Sequence, residues 1–411
     1  MTDIKRVVVT GIGAVTPMGN GVAALWDGLL AARSCAGPIT LFDASQHKVK
    51  FACCINNFQP HPEIDPRELR RMDRYVQFAM SATIEAFNHA GLAGKYEPER
   101  AGTIIASGIG GIAVLEEQHG RLIERGPSRV SPLLIPMMIG DIAAGMVAMR
   151  YNLRNVNFGV VSACASGAHG IGEAYRTIKH GYADVVIAGG AEAGITPLSV
   201  AGFGNMNALS QRSDDPLTAS RPFDRTRDGF VIGEGAGILI LEELEHAKAR
   251  GANILAEIVG YGHTADAHHI TDPAPDGAGA RSAMALAISE AGLTPDDVDY
   301  VNAHGTSTIP NDRIESLAIN NLFKRRVQVS STKSMIGHLL GASGAVELII
   351  SMLAIRNSVI PPTINYREKD PECDIDCVPN TPRQGKVRIA ISNSFGFGGH
   401  NACLAVKAFE E

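Results

Sequence analysis

Apolar residues recur along the chain in two kinds of run. RVVVTGIG, AGTIIASG and DVVIAGG are β-branched runs ending on glycine, the pattern of buried strands that close in tight turns. Helical periods lie between them. After Cys164, the residues Ile171, Ala174, Tyr175 and Ile178 fall at i, i+3, i+4 and i+7, with Gly181 as a stop. Strands alternating with helices predict α/β layers. The stretch Ala345 to Ile355 is apolar on all sides and carries only Glu347 as a charge, which predicts a buried core helix. No apolar run reaches the roughly 18 to 20 residues of a membrane span. RSDDPLTASRPFDRTRDGF, residues 212–230, follows neither period and predicts a long ordered loop.

Three segments of the first half reappear in order in the second. Arg6-VVVTGIGAVT pairs with Ala256-EIVGYGHTAD, each a strand running into a glycine turn. NFGVVSACASGAHG pairs with VQVSSTKSMIGH, and Gly229-FVIGEGAGILIL with Ser394-FGFGGHNACLAV. A strand-and-helix unit present twice, over residues 1–250 and 251–411, would form a pseudo-twofold pair whose loops meet at the middle. A site shared by both halves is then natural.

Composition narrows the function. With 411 residues, 45% apolar, the chain can bury a large core. A net charge of −6 with scattered Lys and Arg offers no basic field for nucleic acid. The seven cysteines show no CxxC pair, so neither a zinc ribbon nor a disulfide framework is suggested, and a reducing, cytoplasmic setting is expected. A first strand at Val7 to Thr10, close to Met1, leads to the expectation of no targeting segment.

Cys164 follows a strand-like run and opens a helical period, where free amides and the helix dipole favour a thiolate. Small neighbours, Ser162, Ala165, Ser166 and Gly167, would let a substrate approach closely. Taken alone, it reads more readily as a small buried core cysteine. His304 in VDYVNAHGTST and His338 in STKSMIGHLLGASG each follow a strand of the second half. Each alone could be a hydrogen-bonded core histidine, yet the duplication would bring their loops against Cys164.

Cys164 in SACASG, His304 in NAHGTST, Lys333 in SSTKSMIGH, His338 in GHLLGASG and the run NSFGFGGHN, in this order, resemble the elongating condensing enzymes, the β-ketoacyl-acyl-carrier-protein synthases. The likeness runs from VVVTGIGAVTPMG through ASRPFDRTRDGFVIGEGAG to the C-terminus, and TDPAPDGAGA is similar to the synthase II type. The resemblance implies the thiolase fold, five αβαβα layers built from two similar halves, and a homodimer. It implies a decarboxylative Claisen condensation in fatty acid biosynthesis, in which an acyl group on Cys164 is extended by two carbons from malonyl-acyl-carrier protein. His304 and His338 would donate to the enolate oxygen. The backbone amides of Cys164 and Phe397 would form the oxyanion hole, and Phe397 would gate the acyl pocket.

The same resemblance assigns Lys333 and Glu347 to tuning of the site, with a plain structural ion pair as the alternative, places Glu347 among the substrate-binding residues as well, and assigns Thr306 and Thr308 to the phosphopantetheine arm. Ile109 and Phe203 would line the acyl pocket. No cofactor is required, but Asn302, Glu347, Ser392 and Asn393 match a buried monovalent cation site of some relatives. An acidic acyl carrier would dock on a basic patch, for which Arg67, Arg70, Arg71 and Arg74 are candidates, although Glu63, Asp65, Glu68 and Asp73 interleave with them. Two positions depart from the usual pattern. Pro310 and Asn311 replace a Pro-x-Gly after the threonines, and His400 stands where many relatives carry Thr.

Other readings are weaker. Gly11-Ile-Gly13 lacks the third glycine of a dinucleotide loop, where Thr16 stands. Cys403 could be the second cysteine of a thiolase but lacks an exposing CxGxG turn. His268, His269, Cys373 and Cys377 lack partners at metal-ligand spacing. A polyketide ketosynthase shares the whole catalytic set and is the nearest alternative.

Overall fold

A computed structural model describes residues 4–410. Its ten main strands are β1 (Val7–Thr16), β2 (Ala101–Ala106), β3 (Asn157–Phe158), β4 (Val185–Glu192), β5 (Gly235–Glu243), β6 (Ala256–Ala265), β7 (Tyr300–Asn302), β8 (Gln328–Ser330), β9 (Ile389–Gly396) and β10 (His400–Lys407). They join in the order β8-β7-β9-β10-β6-β1-β5-β4-β2-β3. Outward from the central antiparallel β1/β6 contact, the two arms are the same sequence of strands, β1-β5-β4-β2-β3 and β6-β10-β9-β7-β8. The strands of the three repeated sequence pairs fall on equivalent places: β1 with β6, β3 with β8, β5 with β10.

Six helices complete the layers: α1 (Arg74–Ala90), α2 (Ile142–Tyr151), α3 (Ser166–Lys179), α4 (Ala278–Glu290), α5 (Ile309–Leu322) and α6 (Ser343–Asn357). α1 and α2 cover the outer face of the first arm, and α4 with α5 that of the second. α3 and α6 pack on each other and against strands of both arms. Being enclosed on both sides explains why α6 is apolar all round: its residues 343–355 are all buried. With the preceding turn, Leu340–Asn357 is an 18-residue helix apolar and long enough to cross a membrane, which the expected shorter run did not reach, but it is 89% buried inside the protein. Its hydrophobicity is used up in the core.

β1 can lie flat on α1 because Gly11 and Gly13 have no side chain; a Cβ there would stand 2.2 Å and 2.0 Å from the carbonyl oxygens of Ala86 and Ala82. That close approach, not a dinucleotide, accounts for GIG. The loop 212–230 is ordered as expected. It is held by Arg221, Asp224 and Arg227, all buried.

Candidate active site

The turn into α3 is built around a strained residue. Ala163 has φ 51° and starts the 3-10 turn Ala163–Ala165, so the chain leaves β3 and swings directly into the helix with Cys164 at the bend. Ser166 Oγ clamps the turn, donating to the Ala163 carbonyl (2.6 Å) and accepting from the Ser162 amide (2.8 Å). Left-handed geometry at a non-glycine residue costs about 1–3 kcal/mol and persists only when its surroundings enforce it.

The β9–β10 turn meets this bend. Gly396 lies so close that a Cβ would stand 2.7 Å from the Ser162 carbonyl and 3.2 Å from the Cys164 amide. Glycines at 398 and 399, with φ 87° and 73°, then turn the chain back. As a result the backbone amides of Cys164 and Phe397 lie where they favour the ionised form of the Cys164 sulfur. Burial nevertheless pushes the thiol up to about 12, with Lys333 and the two amides pulling it down. The low-pKa thiolate expected from the helix start is therefore not the resting state, because desolvation outweighs the helix end.

His304 and His338 come from loops after β7 and β8, as the repeat predicts. One side-chain atom from each of Cys164, His304 and His338 lies within 4.8 Å of the others, and the two imidazoles meet edge to face at 5.2 Å. His338 Nδ1 accepts from the Leu340 amide (3.2 Å) and contacts Ser343 Oγ at 2.9 Å. A backbone amide can only donate, so the proton of His338 sits on Nε2, which is buried without a partner and is free to donate. Burial holds both histidines well below the usual range, and the Lys333 charge adds to this. Both are neutral near pH 7.

Lys333 and Glu347 form an ion pair, each 1% exposed. Burial raises Glu347 to about 7 even with the ammonium beside it. Neither residue lines the cavity, which corrects the expectation that Glu347 binds substrate: α6 holds it behind the site, within the core. Glu347 Oε2, Asn302 Oδ1 and Ser392 Oγ are buried oxygens without hydrogen-bond partners; Asn302 and Ser392 are cross-strand neighbours of β7 and β9, and Asn302 Nδ2 donates to the Glu347 carbonyl (3.4 Å). These three oxygens suit a hard monovalent cation, whereas the Asn393 side chain, one residue on in the strand, points to the other face, where its Nδ2 donates to Glu315 (3.1 Å), which corrects its expected place in that set.

A cavity of about 270 Å³ opens over the three reactive groups. Phe203, Phe230, Leu340, Thr306, Thr308 and Phe397 are among its walls. Ile109 is not: its amide is drawn to Glu192 (3.2 Å), its side chain is 39% exposed, and Leu340 supplies that wall. Thr306 and Thr308 bond to each other at 2.8 Å. Pro310 and Asn311 do not displace them, since Pro310 lies in the first turn of α5, where its missing N–H costs nothing.

Several contributors were not legible beforehand. Glu315 accepts from the His304 and Gly305 amides, both at 2.8 Å, and orients that loop. The only hint was its place with Asp312 and Ser316 on the buried face of α5. His400 packs beside His169, ring centroids 6.4 Å apart, away from the reactive trio. Cys403 is fully buried in β10, which removes it as a second thiolase nucleophile. Of the four candidate arginines, Arg74 is engaged by Glu234 (2.8 Å) and by Phe78. Arg67, Arg70 and Arg71 are exposed, Asp73 is buried as the cap of α1, and Arg150 draws off Glu63 and Glu68.

Known proteins resemble the chain in sequence and in fold. Residues 4–247 match the beta-ketoacyl synthase N-terminal domain and residues 255–367 the beta-ketoacyl synthase C-terminal domain. The chain is 51% identical over 410 residues to 3-oxoacyl-acyl-carrier-protein synthase 2 of Synechocystis sp., covering 99% of each. It is 47% identical over 406 residues to the protein of that name from Coxiella burnetii, covering 98% of each. A beta-ketoacyl synthase from Burkholderia phymatum superposes with a TM-score of 0.93 at 36% identity, over 99% of this chain and 100% of that one. A type II polyketide ketosynthase, solved with its acyl-carrier protein and a bound hexaketide, gives 0.92 at 34%, over 99% and 100%. With both domains matched in order and relatives this similar end to end, the chain belongs to the beta-ketoacyl synthase family.

Proposed function

We propose that this protein is a β-ketoacyl-acyl-carrier-protein synthase of the elongating, synthase II kind, acting in fatty acid biosynthesis. The observation that carries the reading is the convergence of Cys164, His304 and His338 on one cavity, with the His338 proton directed from Nε2. Identity to the synthase 2 relatives, 51% and 47%, exceeds the 34% to the polyketide ketosynthase, which favours fatty acid over polyketide synthesis.

Cys164 attacks the thioester of an acyl carrier; the tetrahedral oxyanion is held by the Cys164 and Phe397 amides, and the thiol proton leaves with the carrier thiol. A malonyl carrier then binds, its pantetheine amides against Thr306 and Thr308. Breaking its carboxylate C–C bond releases carbon dioxide and leaves an enolate whose oxygen accepts from His338 Nε2–H and from His304. Neutral imidazoles suit this role, since they donate without needing a proton from solvent. The enolate carbon attacks the acyl carbonyl, Cys164 departs as a thiolate eased by the two amides and Lys333, and it takes up one proton from solvent to restore the thiol. Lys333 and Glu347 tune the charge around these groups, and Phe397 between its glycines gates the pocket.

Asn302, Glu347 and Ser392 would hold a structural monovalent cation, which would neutralise Glu347 Oε2 and brace β7 against β9. The exposed Arg67, Arg70 and Arg71 form the docking surface for an acidic carrier. β3 is an outer strand of the sheet, and Phe158 on it, with Val161 beyond, is exposed at 42% and 67%. A second copy pairing along β3 would cover that edge, giving a homodimer. All seven cysteines are free, which fits action in a reducing cytoplasm.

Mass spectrometry of the products from malonyl carrier and acyl-carrier primers of graded length tests the reading. A 3-oxoacyl carrier two carbons longer than the primer is expected. No product from active carriers, with Cys164 intact, refutes it.

A further inference from the structure

Glu192 ends β4 with its carboxylate fully buried, and no ion pair among the described residues reaches it. Four donors hold it instead. Oε1 accepts from Ser107 Oγ (2.8 Å) and the Ile109 amide (3.2 Å), and Oε2 from the amides of Gly108 (2.7 Å) and Gly341 (2.9 Å). The first three donors belong to the turn after β2, in the first half of the chain. Gly341 belongs to the turn that follows His338, in the second half. A lone buried carboxylate is costly, and one that persists with four fixed donors is holding those donors in place.

What it holds is strained. Leu340 has φ 49°, a left-handed conformation unfavourable for leucine, and the amide that leads into it donates to His338 Nδ1 (3.2 Å). Gly341 is pressed onto the neighbouring turn so tightly that a Cβ would stand 2.3 Å from the Gly108 amide. The other partner of Nδ1, the Ser343 hydroxyl, can donate or accept, so it does not by itself choose a tautomer. The Leu340 amide does.

We propose that Glu192 is a positioning residue for the condensation: by anchoring Gly341 it keeps the turn around strained Leu340 from relaxing and carrying the Leu340 amide away from His338 Nδ1, and so keeps the proton of His338 on Nε2, facing the cavity. The inference rests on the reading of His338 as the donor to the enolate. Glu192 is also close enough to Cys164 for its charge to disfavour the thiolate, so one buried acid bears on both reactive residues.

Glu192→Gln keeps the shape but turns an NH₂ toward part of the donor set. The kcat for malonyl-carrier decarboxylation is expected to fall about tenfold, the scale of one misdirected hydrogen bond, with KM unchanged within about twofold. Nitrogen-15 spectra of imidazole-labelled protein, with the His338 signals assigned by their loss in His338→Ala, should show a single Nε2–H tautomer in the unaltered protein and a mixture in Glu192→Gln. In a Leu340→Gly background, where left-handed geometry is free of strain, the same Glu192→Gln change should cost less than about threefold. A pure Nε2–H tautomer in Glu192→Gln, or an equal penalty in both backgrounds, overturns the proposal. Glu192→Asp, which draws the carboxylate back by one methylene, gives the same readouts where Glu192→Gln does not fold. Should the unaltered protein make no condensation product, the functional reading falls while the nitrogen-15 spectra still decide the role of Glu192.

Discussion

Replacing Lys333 by methionine removes a buried ammonium while keeping its volume, and leaves Glu347 alone in the core. Breaking a buried pair from one side costs about 3–5 kcal/mol. At pH 7 the lower end applies, because Glu347 already sits at about 7 with the lysine present and simply keeps its proton once the lysine is gone. The pH dependence follows from that. A carboxyl whose folded pKa is raised above its unfolded value of 4.5 loses stability as pH climbs between the two. In the unaltered protein that loss is complete near pH 7. In Lys333→Met it continues upward, so the deficit should widen above pH 7 by about 1.4 kcal/mol per pH unit, until Glu347 titrates. Urea-unfolding midpoints at pH 7 and 8.5 read this directly, and Lys333→Met/Glu347→Gln should recover about half the loss and abolish the extra slope. A deficit that stays constant between the two pH values, or a double variant no better than the single, would refute the reasoning.

Other consequences are open to direct test. His338→Ala should slow malonyl decarboxylation by about 100-fold or more, whereas Ser343→Ala should cost less than about tenfold, because the Leu340 amide still sets the tautomer; equal losses in carbon dioxide release would contradict that assignment. With Cys164 at about 12, iodoacetamide labelling of the substrate-free protein should rise about tenfold per pH unit from 7 to 9. Lys333→Met should slow it further, since the ammonium lowers the thiol pKa, and a plateau below pH 9 would show that the helix end outweighs burial. Phe158→Arg should convert a dimer to monomers in sedimentation velocity, and an unchanged sedimentation coefficient would remove β3 from the interface.

The residues of the site were more legible than its state. Cys164 could be placed at a helix start from the 3.6-residue period after it, and the repeat put the histidine loops opposite because duplicated strands occupy equivalent places. Phe203, Thr306, Thr308 and Phe397 line the cavity as expected. Ile109 and Glu347 do not, because which side of a turn or helix faces the cavity depends on the second half packing against the first. Glu192 and Glu315 escaped notice for a related reason: their partners are backbone amides of distant turns, and a backbone amide has no signature in sequence.

Local chemistry written along the chain therefore determined the strand and helix types, the twofold repeat and the candidacy of Cys164, His304 and His338, whose proposed roles the family resemblance supplied. All of these are carried by short-range periodicity and motif. Tertiary structure alone decided that the Cys164 thiol rests protonated, that His338 carries its proton on Nε2, and that Lys333 must share its charge with Glu347. Protonation depends on desolvation and on charges a few ångströms away in space, and those neighbours come from the other half of the chain.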